Sequence, residues 1–219
     1  MQIEMCNVGK TIKGTALLTD ISLRMESGKI YGFVGENGSG KTVLFKVLMG
    51  LMKKTSGSIL IDGIPQTDFL QDVGFIIERP NFIPYYSAMK NLKTIAACRK
   101  TASDERLKEV LLQVGLDPQD KKKVGKYSLG MKQKLAIAMA LMEHSSVLIL
   151  DEPLNALDEP SVAQARKLIL QEKERGALIL IASHYASDIE YLCDEVYEMQ
   201  NGHLSQIVSH VTCDTAPRL

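Results

Sequence analysis

The sequence predicts an α/β domain on a mostly parallel sheet, with an antiparallel β part near the N-terminus and a helical subdomain inserted into the core. Three observations carry that prediction. Short apolar runs at Ile30–Val34, Val147–Leu150 and Leu178–Ser183 have the length of buried strands and alternate with stretches of helical spacing. The first run enters a glycine-rich turn, Gly35 to Gly40, and an amphipathic stretch follows it. The middle of the chain, from about Tyr86 to Met142, has a helical pattern. The expected organisation is one domain, 1–219, with a core at about 1–84 and 144–219 and the helical subdomain at about 85–143.

Each element has its own signal. Thr42–Leu51 is amphipathic and reads as a helix, and Gly57–Ile61, closed by Asp62-Gly63, reads as a strand and turn. Met89–Arg99, Glu105–Val114 and Lys132–Met142 all space their apolar residues at helical intervals. Beyond Val147–Leu150, the residues Val162, Ala165, Leu168 and Ile169 share one helical face. Pro160 stands in the first turn of that helix, where its missing N–H costs nothing. Asn201-Gly202, between Val196–Met199 and Leu204–Val208, is a hairpin signal because both residues accept positive φ.

Composition narrows the function classes. A chain of 219 residues, 45% hydrophobic, can bury a full core. Its net charge is zero and its pI about 6.9, so it has no broad electrostatic pull toward nucleic acid. The run Lys121-Lys122-Lys123 reads as a solvated face. Cys6, Cys98, Cys193 and Cys213 are far apart and form no CxxC pair, which argues against a zinc site or a disulfide framework and fits a reducing cytosol. Met1–Thr11 has no apolar h-region, and no window approaches the ~20 apolar residues of a membrane span. The chain is therefore expected to be cytoplasmic, with any membrane role borrowed from a partner. Its end soon after Asn201-Gly202 is expected to leave no room for a regulatory domain.

The chemistry is concentrated in two places. Gly35-Glu36-Asn37-Gly38-Ser39-Gly40-Lys41-Thr42 matches GxxxxGK[ST], the P-loop. Successive backbone N–H groups must converge on phosphate oxygens, and the tight curl this demands needs glycines. The helix that follows adds its N-terminal dipole. Lys41 brings positive charge to the β- and γ-phosphates, and the Thr42 hydroxyl is a candidate Mg²⁺ ligand. The second place is Val147-Leu148-Ile149-Leu150-Asp151-Glu152, an apolar strand that delivers two carboxylates at its C-terminal end, where parallel sheets bind ligands. Asp151 is assigned to Mg²⁺ and Glu152 to the attacking water, as general base. The fold class is thus a P-loop NTPase core.

With these residues in order, the chain resembles the ATP-binding cassette family over essentially its whole length. Tyr127-Ser128-Leu129-Gly130-Met131-Lys132-Gln133-Lys134 and the helix continuing through Leu135–Ala140 resemble the LSGGQ signature and its helix, Leu154-Asn155-Ala156-Leu157-Asp158 the D-loop, and His184 the switch histidine. The resemblance implies ATP and Mg²⁺ as cofactors, and two cassettes, identical or different, dimerised head to tail. Ser128 and the Gly130 backbone would then contact a γ-phosphate across the interface. It also implies a separate membrane-spanning transporter subunit as partner, no nucleic acid, and a peripheral place on the cytoplasmic face of the cell membrane. The alternative weighed is a soluble cassette protein of translation or DNA repair; one cassette, no heptad run and zero net charge disfavour it.

The sequence departs from the family pattern at three points. Leu129 and Met131 stand in place of a glycine and the glutamine of the signature, and Tyr127 in place of its leading leucine. Glu78 stands where the Q-loop glutamine is usual and is a candidate metal ligand. The stretch Ile77-Glu78-Arg79-Pro80-Asn81-Phe82 is similar to the branch that exports bacitracin or lantibiotic-type peptides. Ile12 takes the place of the adenine-stacking aromatic, so apolar packing on the base is expected there instead.

Overall fold

The structure, a computed structural model, describes residues 1–78, 81–99 and 102–207. The sequence readings at Arg79, Pro80, Val208 and Cys213 lie outside them. The chain begins with two long strands, β1 (Gln2–Ile12) and β2 (Thr15–Glu26), closed by Lys13 and Gly14 at φ 49° and 82°. Positive φ at both residues matches the turn to the strands' own twist. β3 (Ile30–Val34), α1 (Lys41–Leu48), β4 (Ser56–Ile61), the short β5 (Ile64–Pro65) and β6 (Val73–Ile76) follow. Then come α2 (Ala88–Arg99), α3 (Asp104–Gln113), α4 (Leu129–Leu141), β7 (Val147–Asp151), α5 (Glu159–Glu174), β8 (Leu178–Ala182), α6 (Ala186–Leu192), β9 (Glu195–Gln200) and β10 (His203–Ile207).

The strands form two sheets. The N-terminal one is antiparallel, in the order β2-β1-β4-β5. The other runs β10-β9-β3-β8-β7-β6, parallel from β9 to β6, with β10 added antiparallel by the Asn201-Gly202 hairpin. Both faces of the parallel sheet are covered, so its strands read as unbroken apolar runs. Alternation divides them: Leu148, Leu150, Ile179 and Ile181 join the core with α2 to α5, and Val147, Ile149, Leu178 and Leu180 join the core under α1 and the antiparallel sheet. The predicted fold class is borne out.

Helix ends follow their caps. Asp158 accepts from the Ser161 N–H at 3.1 Å, and Pro160 lies in the first turn of α5, as expected. α1 stops at Leu48 rather than Leu51, because Met49 caps it and Gly50 then turns left-handed at φ 78°. α4 starts a turn earlier than Lys132, since the Ser128 hydroxyl accepts from the Met131 N–H at 3.2 Å and opens the helix at Leu129. Gly74 allows α4 to lie close on β6: an ideal Cβ there would stand 2.0 Å from the Ala140 carbonyl oxygen.

Candidate active site

The carboxyl end of the parallel sheet meets the loop after β3 and the start of α4 around a cavity of about 710 Å³. In that loop Gly35, Gly38 and Gly40 have φ of 143°, 86° and 113°. Gly35 is required twice over, because a Cβ would lie 2.2 Å from the Met199 carbonyl oxygen. Lys41 is buried at the first position of α1, and its Nζ donates to Gly35 O at 2.5 Å and Glu36 O at 3.1 Å. The ammonium therefore sits inside the curl of the loop, among the groups that the sequence aims at phosphate.

β7 brings the two carboxylates to the same cavity. The Thr42 hydroxyl donates to Asp151 Oδ2 at 2.6 Å. Burial pushes the Asp151 carboxyl above its usual range and the neighbouring Glu152 charge adds to this, while the Thr42 hydrogen bond opposes it. Glu152 adopts the left-handed region at φ 52°, a strain of about 1–3 kcal/mol for a side chain with a Cβ. Its N–H donates to Ala182 O at 2.9 Å, which continues the β7–β8 pairing one residue past the strand. Its carboxylate is divided: Oε1 lies 2.8 Å from His184 Nδ1, and Oε2 is buried without a hydrogen-bond partner.

His184 stands between two anchored neighbours. The Ser183 hydroxyl donates to Asp188 Oδ2 at 3.3 Å and accepts from the Tyr185 N–H at 3.1 Å, and Arg166 of α5 pairs with Asp188 Oδ1. α6, which carries Asp188, was not foreseen from the sequence; it is two turns long and has no side-chain N-cap to announce it.

The sequence-predicted residues fall into three groups. Asn37, Gly38, Gly40, Lys41, Thr42, Glu78, Asp151 and Glu152 line the cavity, with His184 against Glu152 and Gly35, Glu36 and Ser39 completing the loop. Glu78 reaches the wall but its carboxylate pairs with Lys46 Nζ of α1 at 2.6 Å. Ile12 lies at the exposed end of β1, outside the lining; Thr15, Ala16 and Leu17 form that side, and no aromatic residue is among the described residues lining the cavity. Leu129 and Gln133 of α4 line it, whereas Ser128 and Gly130 do not. Gly130 instead faces its own chain, where a Cβ would come within 2.9 Å of Ala156 O. The sequence places Gln133 within the signature stretch but gives it no role of its own.

A parallel sheet with covered faces and a glycine-rich phosphate loop at its carboxyl end define a P-loop nucleotide-binding protein. The sequence pattern of the family described as "ABC transporter" matches residues 18–155. An uncharacterized ABC transporter ATP-binding protein of Bacillus subtilis (strain 168) is 47% identical over 205 residues, covering 92% of this chain and 94% of that one. The bacitracin transport ATP-binding protein of Bacillus licheniformis is 44% identical over 193 residues, covering 84% of this chain but 62% of its own length. A dimeric bacterial ABC transporter cassette superposes with a TM-score of 0.83 over 94% of this chain and 99% of its own; at 23% identity that likeness is one of fold. The chain belongs to the ATP-binding cassette (ABC) transporter family, as its ATP-binding, ATP-hydrolysing subunit.

Proposed function

We propose that this subunit hydrolyses ATP with Glu152 as general base and His184 as the group that holds it. The observation that carries this reading is the divided carboxylate. His184 fixes one oxygen, and the other is buried and unpartnered beside the cavity that holds the phosphate loop. An oriented carboxylate oxygen with no internal partner is placed to accept a proton from water. The amides of Gly38 to Lys41 and the Lys41 ammonium receive the phosphates. Ser128 and Gly130 of one cassette act on the nucleotide of a second, and residues 85–143 form the subdomain that carries them.

Thr42 and Asp151 fit Mg²⁺. They offer hard oxygen donors 2.6 Å apart, and the buried carboxyl, with its affinity for protons raised, gains from a nearby cation. Among the described residues no cluster of three or more His, Cys, Asp or Glu could hold a metal alone, which suits an ion completed by phosphate and water. Bound there, Mg²⁺ supplies neutralisation of phosphate charge. Glu78 is the further candidate ligand, after release from Lys46.

The partner is a separate membrane-spanning subunit, and no helix among the described residues is long and apolar enough to cross a membrane. The relative named for bacitracin transport supports a bacitracin-type peptide as the substrate class. Affinity purification of the tagged protein from detergent-treated cells tests this. Recovery of a polytopic membrane protein is expected; recovery of ribosomes or DNA instead would overturn it.

A further inference from the structure

We propose that Gln133 is a positioning residue for hydrolysis: it ties α4 to the backbone of Glu152 and so sets where the carboxylate points. The inference rests on the assignment of Glu152 as general base. Gln133 lies one helical turn into α4, and its Nε2 donates to Glu152 O at 3.2 Å and to Pro153 O at 2.7 Å. Both partners are carbonyl oxygens, so only the amide nitrogen can face them, and the amide orientation is decided by chemistry. The first bond reaches a residue whose backbone is in the left-handed region, where a conformation persists only if its surroundings over-determine it, and the second holds the residue that follows it.

The anchoring of that turn comes from three directions. The Glu152 N–H is tied to β8 through Ala182 O at 2.9 Å, its carboxylate to His184, and its carbonyl to α4 through Gln133. Asn155 N–H also reaches Glu152 O, at 3.4 Å, closing the turn on itself. The first anchor belongs to the sheet and the second to the loop after β8. Gln133 alone makes the geometry of Glu152 depend on α4, the helix that Ser128 caps. A second contact between the same two segments strengthens the link, because Gly130 has no Cβ to keep Ala156 O away. A movement of α4 against the sheet is therefore transmitted to the carboxylate backbone within one residue.

Gln133 spends its amide on the backbone of Glu152 and Pro153 and acts through Glu152, so its effect must appear in turnover more than in binding. The test compares Gln133→Met, which removes the donor, and Gln133→Glu, which sets an acceptor against two carbonyls, with the parent. Met and Glu are both good helix formers, so α4 itself is preserved. Misplacing a catalytic group by about 1 Å costs up to ~10²-fold, so kcat is expected to fall roughly tenfold or more, further for Glu than for Met, with little change in KM or in ATP binding. In the Glu152→Gln background, Gln133→Met is expected to add no further loss, because it acts through the residue already removed. Full kcat in both Gln133 variants, alongside a crippled Glu152→Gln, would overturn the positioning role and leave the base assignment standing. Loss of ATP binding in parallel with kcat would also overturn it, by showing a binding or folding role. Full turnover in Glu152→Gln would instead sink the base assignment itself.

Discussion

Gly74→Ala is the smallest change that asks whether α4 is seated as described. The added methyl would stand 2.0 Å from the Ala140 carbonyl oxygen, 1.4 Å short of the 3.4 Å at which ordinary contact begins (3.4 − 2.0). The obstacle is helix backbone and cannot rotate away. The Leu148 side chain, 2.8 Å from the same point, can. Two effects compete: alanine in a strand recovers roughly 0.5–1 kcal/mol relative to glycine, and overpacking a core typically costs about 1–3 kcal/mol, more when backbone must move. The obstacle is backbone, so the upper end of that cost applies, and about 3 kcal/mol less the gain leaves a net loss of roughly 2–2.5 kcal/mol. At about 2–4 °C per kcal/mol for a chain of this size, Tm should fall by about 4–10 °C. Gly176→Ala is the control, because φ is 97° there and nothing lies within 4 Å of the missing Cβ, so it adds backbone strain alone. Differential scanning calorimetry on both, with kcat measured where both are folded, separates the cases. Gly74→Ala should lose turnover as α4 lifts with Gln133 on it, and Gly176→Ala should not. A Gly74→Ala variant with parental Tm and parental kcat would refute the close seating of α4 on β6.

Two other consequences are open to measurement. The Lys46–Glu78 pair is largely exposed on the Glu78 side, at 64% of its side chain, so Glu78→Gln should change stability by less than about 1 kcal/mol in urea unfolding. If Glu78 is drawn to the metal during turnover, that variant should shift the Mg²⁺ concentration for half-maximal ATPase by about threefold or more, and an unchanged requirement would remove Glu78 from the metal site. With no aromatic among the described residues lining the cavity, base selectivity should be poor. Competition is expected to place GTP within about tenfold of ATP, a gap of roughly 1.4 kcal/mol, and a hundredfold preference would expose a base contact on the Thr15–Leu17 side.

What was legible in the sequence was local. The phosphate loop, the two carboxylates after an apolar strand and the Asn201-Gly202 hairpin are each a few consecutive residues whose backbone demands can be read in place. The contacts that tune the site are not local. Gln133 meets Glu152 across 19 residues, Lys46 meets Glu78 across 32, and Gly74 is a glycine because of Ala140. None of these leaves a periodic trace, since each serves one close approach between elements. Ile12 was placed by correspondence with a family pattern, whereas the cavity wall is set by how far the β1–β2 hairpin overreaches the loop, which depends on strand length and register.

The central claim is that Glu152 activates water while the phosphate loop binds independently of it. The direct measurement is ATP binding and ATP turnover in Glu152→Gln, beside Lys41→Ala. Gln keeps the shape of the side chain and can still meet His184, but it has no carboxylate to take a proton. Glu152→Gln should bind ATP about as tightly as the parent and turn over ~10²–10⁴-fold more slowly, whereas Lys41→Ala should weaken binding itself. Turnover of Glu152→Gln within about threefold of the parent, in a preparation free of contaminating ATPase, would contradict the account, because loss of a general base cannot be so mild.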